Sequence, residues 1–286
     1  MRTRPVDAAA LGLPRVRRGL ELAGDLPPAP RLAIIGARAA HRRLLRLIPA
    51  ILAVAARRGL SLISGGALGV DTAAHREALI AGVPQLAILP AAPEEPYPPS
   101  NLGLFAAIAA RPGSGVAFAL APGGKPCRGL FASRNRYVVG MAAAVVVVEA
   151  ALRSGSRGSG RLALRLGVPT AAVIGSPGCG ALIGAGARSI PSDSPEAAAE
   201  AIEAWLADPT GAPKPDPWPP RLAGLAAALT EAGEEGLVID DLEDPLAALV
   251  ALTEADALGL VVEVAPGRYR RRDQAPGGRP SLAPAP

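Results

Sequence analysis

Three loops of this 286-residue chain carry residue types that bind phosphate groups. The first is Gly36-Ala37-Arg38, which comes directly after a short apolar run. The glycine allows a tight turn, and the guanidinium of Arg38 can then make a bidentate contact with a phosphate at the edge of a sheet. The same three residues are also expected if Arg38 is an ordinary surface arginine after a strand. This loop alone therefore leaves both interpretations open.

The second loop reads SGGALGVD over residues 64–71. Backbone amides of Gly65 and Gly66, near the start of a helix, would together attract an anion. The loop matches neither the dinucleotide-binding glycine pattern nor a P-loop, because no Gly-Lys-Ser/Thr follows. We expect Asp71 to cap the helix and His75 to lie on its surface.

The third segment, residues 125–136, places four basic side chains around one aromatic ring and contains no acid. Basic groups that follow a phosphate backbone, beside a ring that stacks on bases, are typical of proteins that bind single-stranded nucleic acid. Individual residues have alternatives: Phe131 could belong to the core, and Arg134 or Arg136 could pair with Glu149. The candidate contacts in this segment are Lys125, Arg128, Phe131, Arg134, Asn135 and Arg136.

Basic residues continue beyond this segment, and Ser154-Gly155-Ser156 lies among them as another possible anion-binding loop. Ser154 is its candidate contact. The surrounding arginines are Arg153, Arg157, Arg161 and Arg165.

Residues needed for most catalytic sites are scarce. The chain has two histidines and two cysteines, and it lacks the Gly-x-Ser-x-Gly turn of serine hydrolases. No pair of carboxylates stands out as acid and base. The composition therefore argues against a hydrolase or a metalloenzyme, and we predict no metal, no cofactor and no catalytic residue.

The overall net charge of +5 hides a division along the chain. Residues 1–190 hold 23 Lys and Arg against 8 Asp and Glu, whereas residues 191–263 hold 2 against 16. A basic body that could meet a polyanion is thus joined to an acidic module that would not.

Short apolar runs alternate with helical patterns from residue 31 onward. Strands that are apolar throughout and alternate with helices predict a doubly wound α/β domain with a parallel sheet covered on both faces. The predicted strands are 32–35, 60–63, 85–89, 115–120, 144–149 and 170–174. The predicted helices are 41–58, 71–81, 101–110, 133–142, 158–166 and 194–206.

Composition divides the chain into five segments. Residues 1–30 form a short Arg-rich extension, 31–206 the doubly wound α/β domain, and 207–220 a proline-rich linker. Residues 221–272 have helices followed by a predicted hairpin, which suggests a small winged-helix-like domain, and 273–286 a disordered tail. With no apolar run of about 20 residues and no apolar stretch near the amino terminus, we expect a cytoplasmic protein without membrane contact.

The motifs, in this order, resemble the DNA-processing protein A (DprA/Smf) family. The similarity covers about residues 31–190, and its most specific part is the Phe-x-x-Arg-Asn-Arg segment with the Val-Glu strand that follows. The matching segments are IGAR (35–38), SGGALGVDTAAH (64–75), YPPSN (97–101), FASRNR (131–136), VVVVEA (145–150), SGS (154–156) and GAGA (184–187).

The resemblance implies an extended Rossmann-like fold, a homodimer, and binding of single-stranded DNA without catalysis. It also implies loading of RecA recombinase onto incoming strands during natural transformation. By motif, Arg38 would bind phosphate, Gly65 and Gly66 would donate backbone hydrogen bonds, and Arg128 would be a basic contact. Phe131 would stack on a base, with Arg134, Asn135 and Arg136 as the supporting motif; the family's usual serine before Arg38 is Ala37 here.

Two other hypotheses remain. The chain could be a nucleotide sensor or an enzyme similar to the cytokinin-activating phosphoribohydrolases, whose Pro-Gly-Gly-x-Gly-Thr motif is partly matched by residues 122–124. It could instead be an adaptor whose acidic module binds a basic protein or shields the DNA-binding groove. Release of free base from a nucleotide, or tighter DNA binding after removal of residues 207–286, would separate these hypotheses.

Overall fold

The computed structural model describes residues 2–7, 11, 19–125, 130–209, 222–232, 236–238, 244–257, 261–265 and 267–271. The chain divides into two compact units, residues 1–215 and 216–286. This division falls inside the segment 207–220 that the sequence predicts to be a linker, most of which lies outside the described residues.

Nine strands of the described residues form one sheet in the larger unit, in the order β1-β2-β6-β5-β4-β3-β7-β8-β9. All neighbours from β6 to β9 in that order are parallel, and β1 and β2 are antiparallel additions at one edge. The Rossmann-like α/β fold is therefore confirmed. The strands are β1 Arg4–Val6, β2 Leu20–Gly24, β3 Arg31–Gly36, β4 Ser61–Ser64, β5 Gln85–Leu89, β6 Gly115–Phe118, β7 Ala144–Glu149, β8 Thr170–Val173 and β9 Arg188–Ile190.

Helices cover both faces of the sheet. Alternate residues of each central strand point to opposite faces, and both sets are apolar and buried under helices. Ile35 and Val147 pack against α5, α6 and α7, whereas Ile34 and Val146 pack against α1, α2, α3 and α8. The helices are α1 Arg42–Leu45, α2 Ile48–Arg57, α3 Val70–Ala81, α4 Leu102–Ala110, α5 Leu130–Gly140, α6 Gly155–Arg165, α7 Pro177–Ile183 and α8 Pro195–Ala207, with a 3-10 turn at Pro99–Asn101.

The sheet extends further than the sequence predicts. Strand β2 pairs with β6, so the sheet does not begin at residue 31 and part of the predicted amino-terminal extension belongs to it. Strands β1 and β9 have three residues each, which is too short for a periodic pattern to reveal. The single helix predicted over 41–58 is two helices, because Pro49 stands in the first turn of α2 and has no amide hydrogen to continue α1.

The smaller unit has a sheet of three described strands, in the order β10-β12-β11. A core of Leu229, Leu252 and Val261 joins this sheet to its helices. A winged-helix domain stays a prediction, and the predicted tail lies outside the described residues. The elements are α9 Ala223–Ala232, β10 Leu237–Val238, α10 Pro245–Ala257, β11 Val261–Ala265 and β12 Arg268–Arg271. Among the helices that the structure describes, none has both the length and the apolarity to span a bilayer.

Candidate nucleic-acid interface

A cleft of about 430 Å³ opens at the carboxyl ends of β3 and β7. The chain runs outward from β3 through β4, β5 and β6, and then returns to place β7 on the other side of β3. Such a switch in strand order is where open α/β sheets bind ligands, because the loops on either side diverge. Six of the predicted contacts line this cleft, namely Gly36, Arg38, Phe131, Arg134, Asn135 and Ser154.

The loop that carries Arg38 is held in place by close backbone packing. A Cβ at Gly36 would collide with the side chain of Val70 in α3, and one at Gly69 would collide with the carbonyl oxygens of residues 37 and 38. Gly69 also has a positive φ of 78°, which other residues rarely adopt. The amide of Val70 donates to the carbonyl oxygen of Ala37 at 3.2 Å, so the two loops predicted to bind phosphate are packed together and joined by a hydrogen bond.

Arg38 and Phe131 line the outer part of the cleft, and Tyr97 contacts Phe131 beside it; we call these three exposed residues the mouth of the cleft. The Cζ atom of Arg38 lies 5.1 Å from the centroid of the Phe131 ring, within the range of a cation–π contact. The Phe131 side chain is 43% exposed, so the alternative that it belongs to the core is wrong. Tyr97 is 46% exposed and meets Phe131 edge to face, with ring centroids 6.0 Å apart.

The buried part of the cleft, which we call the floor, consists of Asp71 and Arg134, and Gly65 lies directly behind Arg134. The Arg134 guanidinium occupies the space that a side chain at position 65 would need. Arg134 is only 6% exposed, and its Nε atom has no hydrogen-bond partner among the described residues. Burial lowers the pKa of Arg134 and raises that of Asp71, while the attraction between their charges opposes both shifts.

Arginine stays protonated in proteins, so Arg134 places a fixed positive charge beneath the cleft. The alternative that Arg134 or Arg136 pairs with Glu149 is wrong: among the described residues neither arginine forms an ion pair with Glu149, whose carboxylate accepts a hydrogen bond from the backbone N–H of His41 at 2.7 Å. Arg136, two residues further along α5, is exposed and does not line the cleft.

The glycines of the second loop have packing roles in the structure. Gly66 has a positive φ of 69°, and a Cβ there would collide with Leu89. Its carbonyl oxygen accepts a hydrogen bond from the Asn101 side chain at 3.2 Å. Neither Gly65 nor Gly66 is among the residues that line the cleft, and their role as backbone donors to a bound strand stays a prediction.

The expectations for Asp71 and His75 are wrong. Gly69, not Asp71, is the residue that precedes the first turn of α3, and the Asp71 carboxylate accepts from the amide of Ala67 at 3.2 Å. His75 is fully buried, with Nδ1 2.7 Å from the side-chain oxygen of Gln85. Burial lowers the pKa of His75 to about 4, so the ring is neutral at pH 7.

The opposite wall of the cleft is the amino-terminal end of α6. Ser154 caps this helix: its hydroxyl accepts from the amide of Arg157 at 3.2 Å and donates to the carbonyl of Ala151 at 2.8 Å. The Ser156 hydroxyl donates to the carbonyl oxygen of Gly36 at 2.7 Å and ties the wall to the Arg38 loop. The first turn of an 11-residue helix thus faces the cleft, and its dipole favours an anion there.

Two predicted contacts are not brought to this cleft. Lys125 lines a second cleft, of about 830 Å³, beside strands β1 and β2. Arg128 falls in the segment 126–129, outside the described residues.

The sequence analysis did not identify Tyr97 as a site residue, because the position of Tyr97 depends on where the long segment after β5 folds back. In the part of the chain that the structure describes, no three His, Cys, Asp or Glu side chains are grouped so that they could hold a metal ion.

The larger unit is similar to known proteins in both sequence and fold. Residues 20–202 match the family model for DNA recombination-mediator protein A, and this match begins at the first residue of β2. The chain is 39% identical over 170 residues to a putative DNA processing protein DprA of Mycobacterium tuberculosis, covering 57% of this chain and 43% of that protein. It is 32% identical over 176 residues to DNA processing protein DprA of Streptococcus pneumoniae, covering 59% and 61% respectively.

Two solved structures of DNA processing protein A share the fold. The Streptococcus pneumoniae structure has a TM-score of 0.57 at 28% identity, over 67% of this chain and 66% of that one. The Helicobacter pylori structure has a TM-score of 0.61 at 26% identity, over 73% of this chain and 97% of that one. The chain matches less than two thirds of the length of the mycobacterial and pneumococcal relatives.

Proposed function

The chain belongs to the DNA recombination-mediator protein A family, and we propose that it binds single-stranded DNA in the cleft between β3 and β7. We further propose that it protects the bound strand and loads RecA recombinase onto it during natural transformation and recombination, acting as a homodimer.

The observation that carries the proposal is the arrangement of Arg38 over Phe131 at the mouth. A guanidinium can hold a phosphate while the adjacent exposed ring stacks on the base of the same or the next nucleotide. The dipole of α6 and the buried charge of Arg134 add positive potential to the same cleft. Stacking accepts any base, so binding should depend little on sequence.

The Helicobacter pylori relative supports the choice of ligand, since its structure concerns a single-stranded DNA binding mode. The name of the family, a recombination mediator, supports the proposed delivery of a recombinase.

We propose binding rather than catalysis. Asp71 is the one carboxylate among the described residues that line the cleft, and it is buried beside Arg134. A general acid or base must reach the substrate, and Asp71 is poorly placed to do so. Incubation with nucleoside monophosphates tests this point: release of free base would favour the phosphoribohydrolase hypothesis instead.

Fluorescence anisotropy with a labelled dT oligonucleotide and its duplex counterpart tests the binding function. We expect the single strand to bind more tightly, and Phe131→Ala to weaken its binding by at least about fivefold, since a base–aromatic stack contributes roughly 1–3 kcal/mol. Leu166→Ala is the matched control, because Leu166 is also half-exposed but lies at the far end of α6. Equal binding of single strand and duplex, or no loss in Phe131→Ala, would overturn the proposal.

A further inference from the structure

We infer that Tyr97 is a second base-stacking residue of this interface, so that two consecutive bases of a single strand stack on two different rings. The inference rests on the proposed function and extends it. It begins from the contact between Tyr97 and Phe131, whose ring centroids are 6.0 Å apart.

Tyr97 is exposed although the segment around it is firmly anchored. The neighbouring Pro98 is buried, and Asn101 is buried with its side-chain amide donating to the carbonyl of Gly66 and to the Thr72 hydroxyl, the latter at 2.7 Å. The anchored segment therefore holds the Tyr97 ring outside the core, where it leaves 46% of its surface in water. A rigid ring that is already in place costs little entropy when a base stacks on it.

The angle between the two rings favours a flexible strand. Their planes are 87° apart, so two bases stacked on them would lie almost perpendicular to each other. Neighbouring bases of a duplex are parallel and cannot adopt this arrangement without losing their own stacking. A single strand can rotate about its backbone between the two nucleotides, so the pair of rings would select against duplex DNA.

The distribution of charge indicates that Tyr97 meets a base rather than the phosphate backbone. No Lys or Arg occurs between Arg76 and Arg111, and the segment before Tyr97 carries two exposed carboxylates, Glu94 and Glu95. Phosphates would be repelled at this side of the mouth and attracted at the side of Arg38 and α6. The backbone of the strand would therefore follow the Arg38 side, with its bases directed towards Phe131 and Tyr97.

Substitution of Tyr97 gives the first test. We expect Tyr97→Ala to weaken binding of a dT oligonucleotide by at least about fivefold and Tyr97→Phe to stay within about twofold, because the ring and not the hydroxyl makes the stack. Leu166→Ala again serves as the control, and thermal unfolding of each variant checks that it is folded. A Tyr97→Ala variant that is folded and binds like the wild type would overturn the inference.

A double-mutant cycle separates direct stacking from an effect transmitted through Phe131. If Tyr97 contacts a base, adding Tyr97→Ala to Phe131→Ala should weaken binding again by at least about twofold. If Tyr97 only positions Phe131, the second substitution should change nothing, and that result would overturn the inference.

Photo-crosslinking locates the contact directly. An oligonucleotide that carries 5-iodouracil should form adducts with Tyr97 as well as Phe131, identified by mass spectrometry of the digested protein. Adducts at Phe131 but not at Tyr97 would overturn the inference and leave the proposed function standing. Failure of the wild-type protein to bind the single strand at low salt would instead remove the proposed function itself.

Discussion

The mouth and the floor of the cleft each use an arginine, and the two arginines are in opposite environments. Arg38 stands at the mouth over an exposed ring and is itself exposed. Arg134 is enclosed at the floor, fills the space beside Gly65 and interacts with the charge of Asp71. Arginines from two different motifs of one cleft therefore have different roles: Arg38 is placed to bind a ligand, and Arg134 supports the structure beneath it. Only burial distinguishes them.

The floor is where we expect the largest effect on stability. Arg134→Ala removes a buried charge and leaves the Asp71 carboxylate without its counter-charge, which should lower the free energy of unfolding by about 3 kcal/mol. Arg136→Ala on the same helix is the control, since that exposed side chain should contribute no more than about 0.5 kcal/mol. Urea denaturation of both variants measures the difference. Equal losses would mean that Arg134 does not support the floor.

The central strands and helix α5 show which features the sequence can predict and which it cannot. The central strands were predictable because they are apolar throughout; β5 and β7 begin and end where the sequence indicates. Which of Arg134 and Arg136 is buried depends on how α5 packs against its neighbours, and a uniformly basic segment carries no periodic signal for that.

Tyr97 illustrates a second limit. Nothing in the segment after β5 is periodic, so only the folded chain shows that this ring reaches Phe131. The prediction that His75 is exposed was wrong for a related reason, because its hydrogen-bond partner Gln85 lies in a different element, β5. A polar residue on a helix is predicted to be exposed unless the sequence reveals its partner.

Acid should lower the free energy of unfolding through His75, the buried and neutral histidine of α3. The pKa of His75 is about 4 in the folded protein, against about 6.5 in an unfolded chain, so the unfolded chain binds the proton more readily. This contribution to stability is complete above about pH 6.5 and is lost as the pH falls towards 4, by about 1.4 kcal/mol per pH unit.

Urea denaturation at pH 7 and pH 5 measures this effect. Wild type should lose about 2 kcal/mol more than His75→Gln, whose amide can also donate to Gln85 but does not titrate. The pKa of Asp71 is raised, so its titration acts in the opposite sense at lower pH and is common to both proteins. Parallel losses in the two proteins would show that His75 does not titrate as its burial implies.

We propose that Arg38 at the mouth holds a phosphate of a single strand, and this contact should be visible in the salt dependence of binding. Anisotropy titrations across a salt series should show Arg38→Ala binding dT about tenfold more weakly, with the slope of log K against log salt reduced by about 0.7, the value for one phosphate of a single strand. Arg76→Ala removes the same charge from the exposed face of α3 and should leave the slope unchanged. If Arg38→Ala keeps the wild-type slope, or if Arg76→Ala loses as much, then Arg38 does not contact the strand.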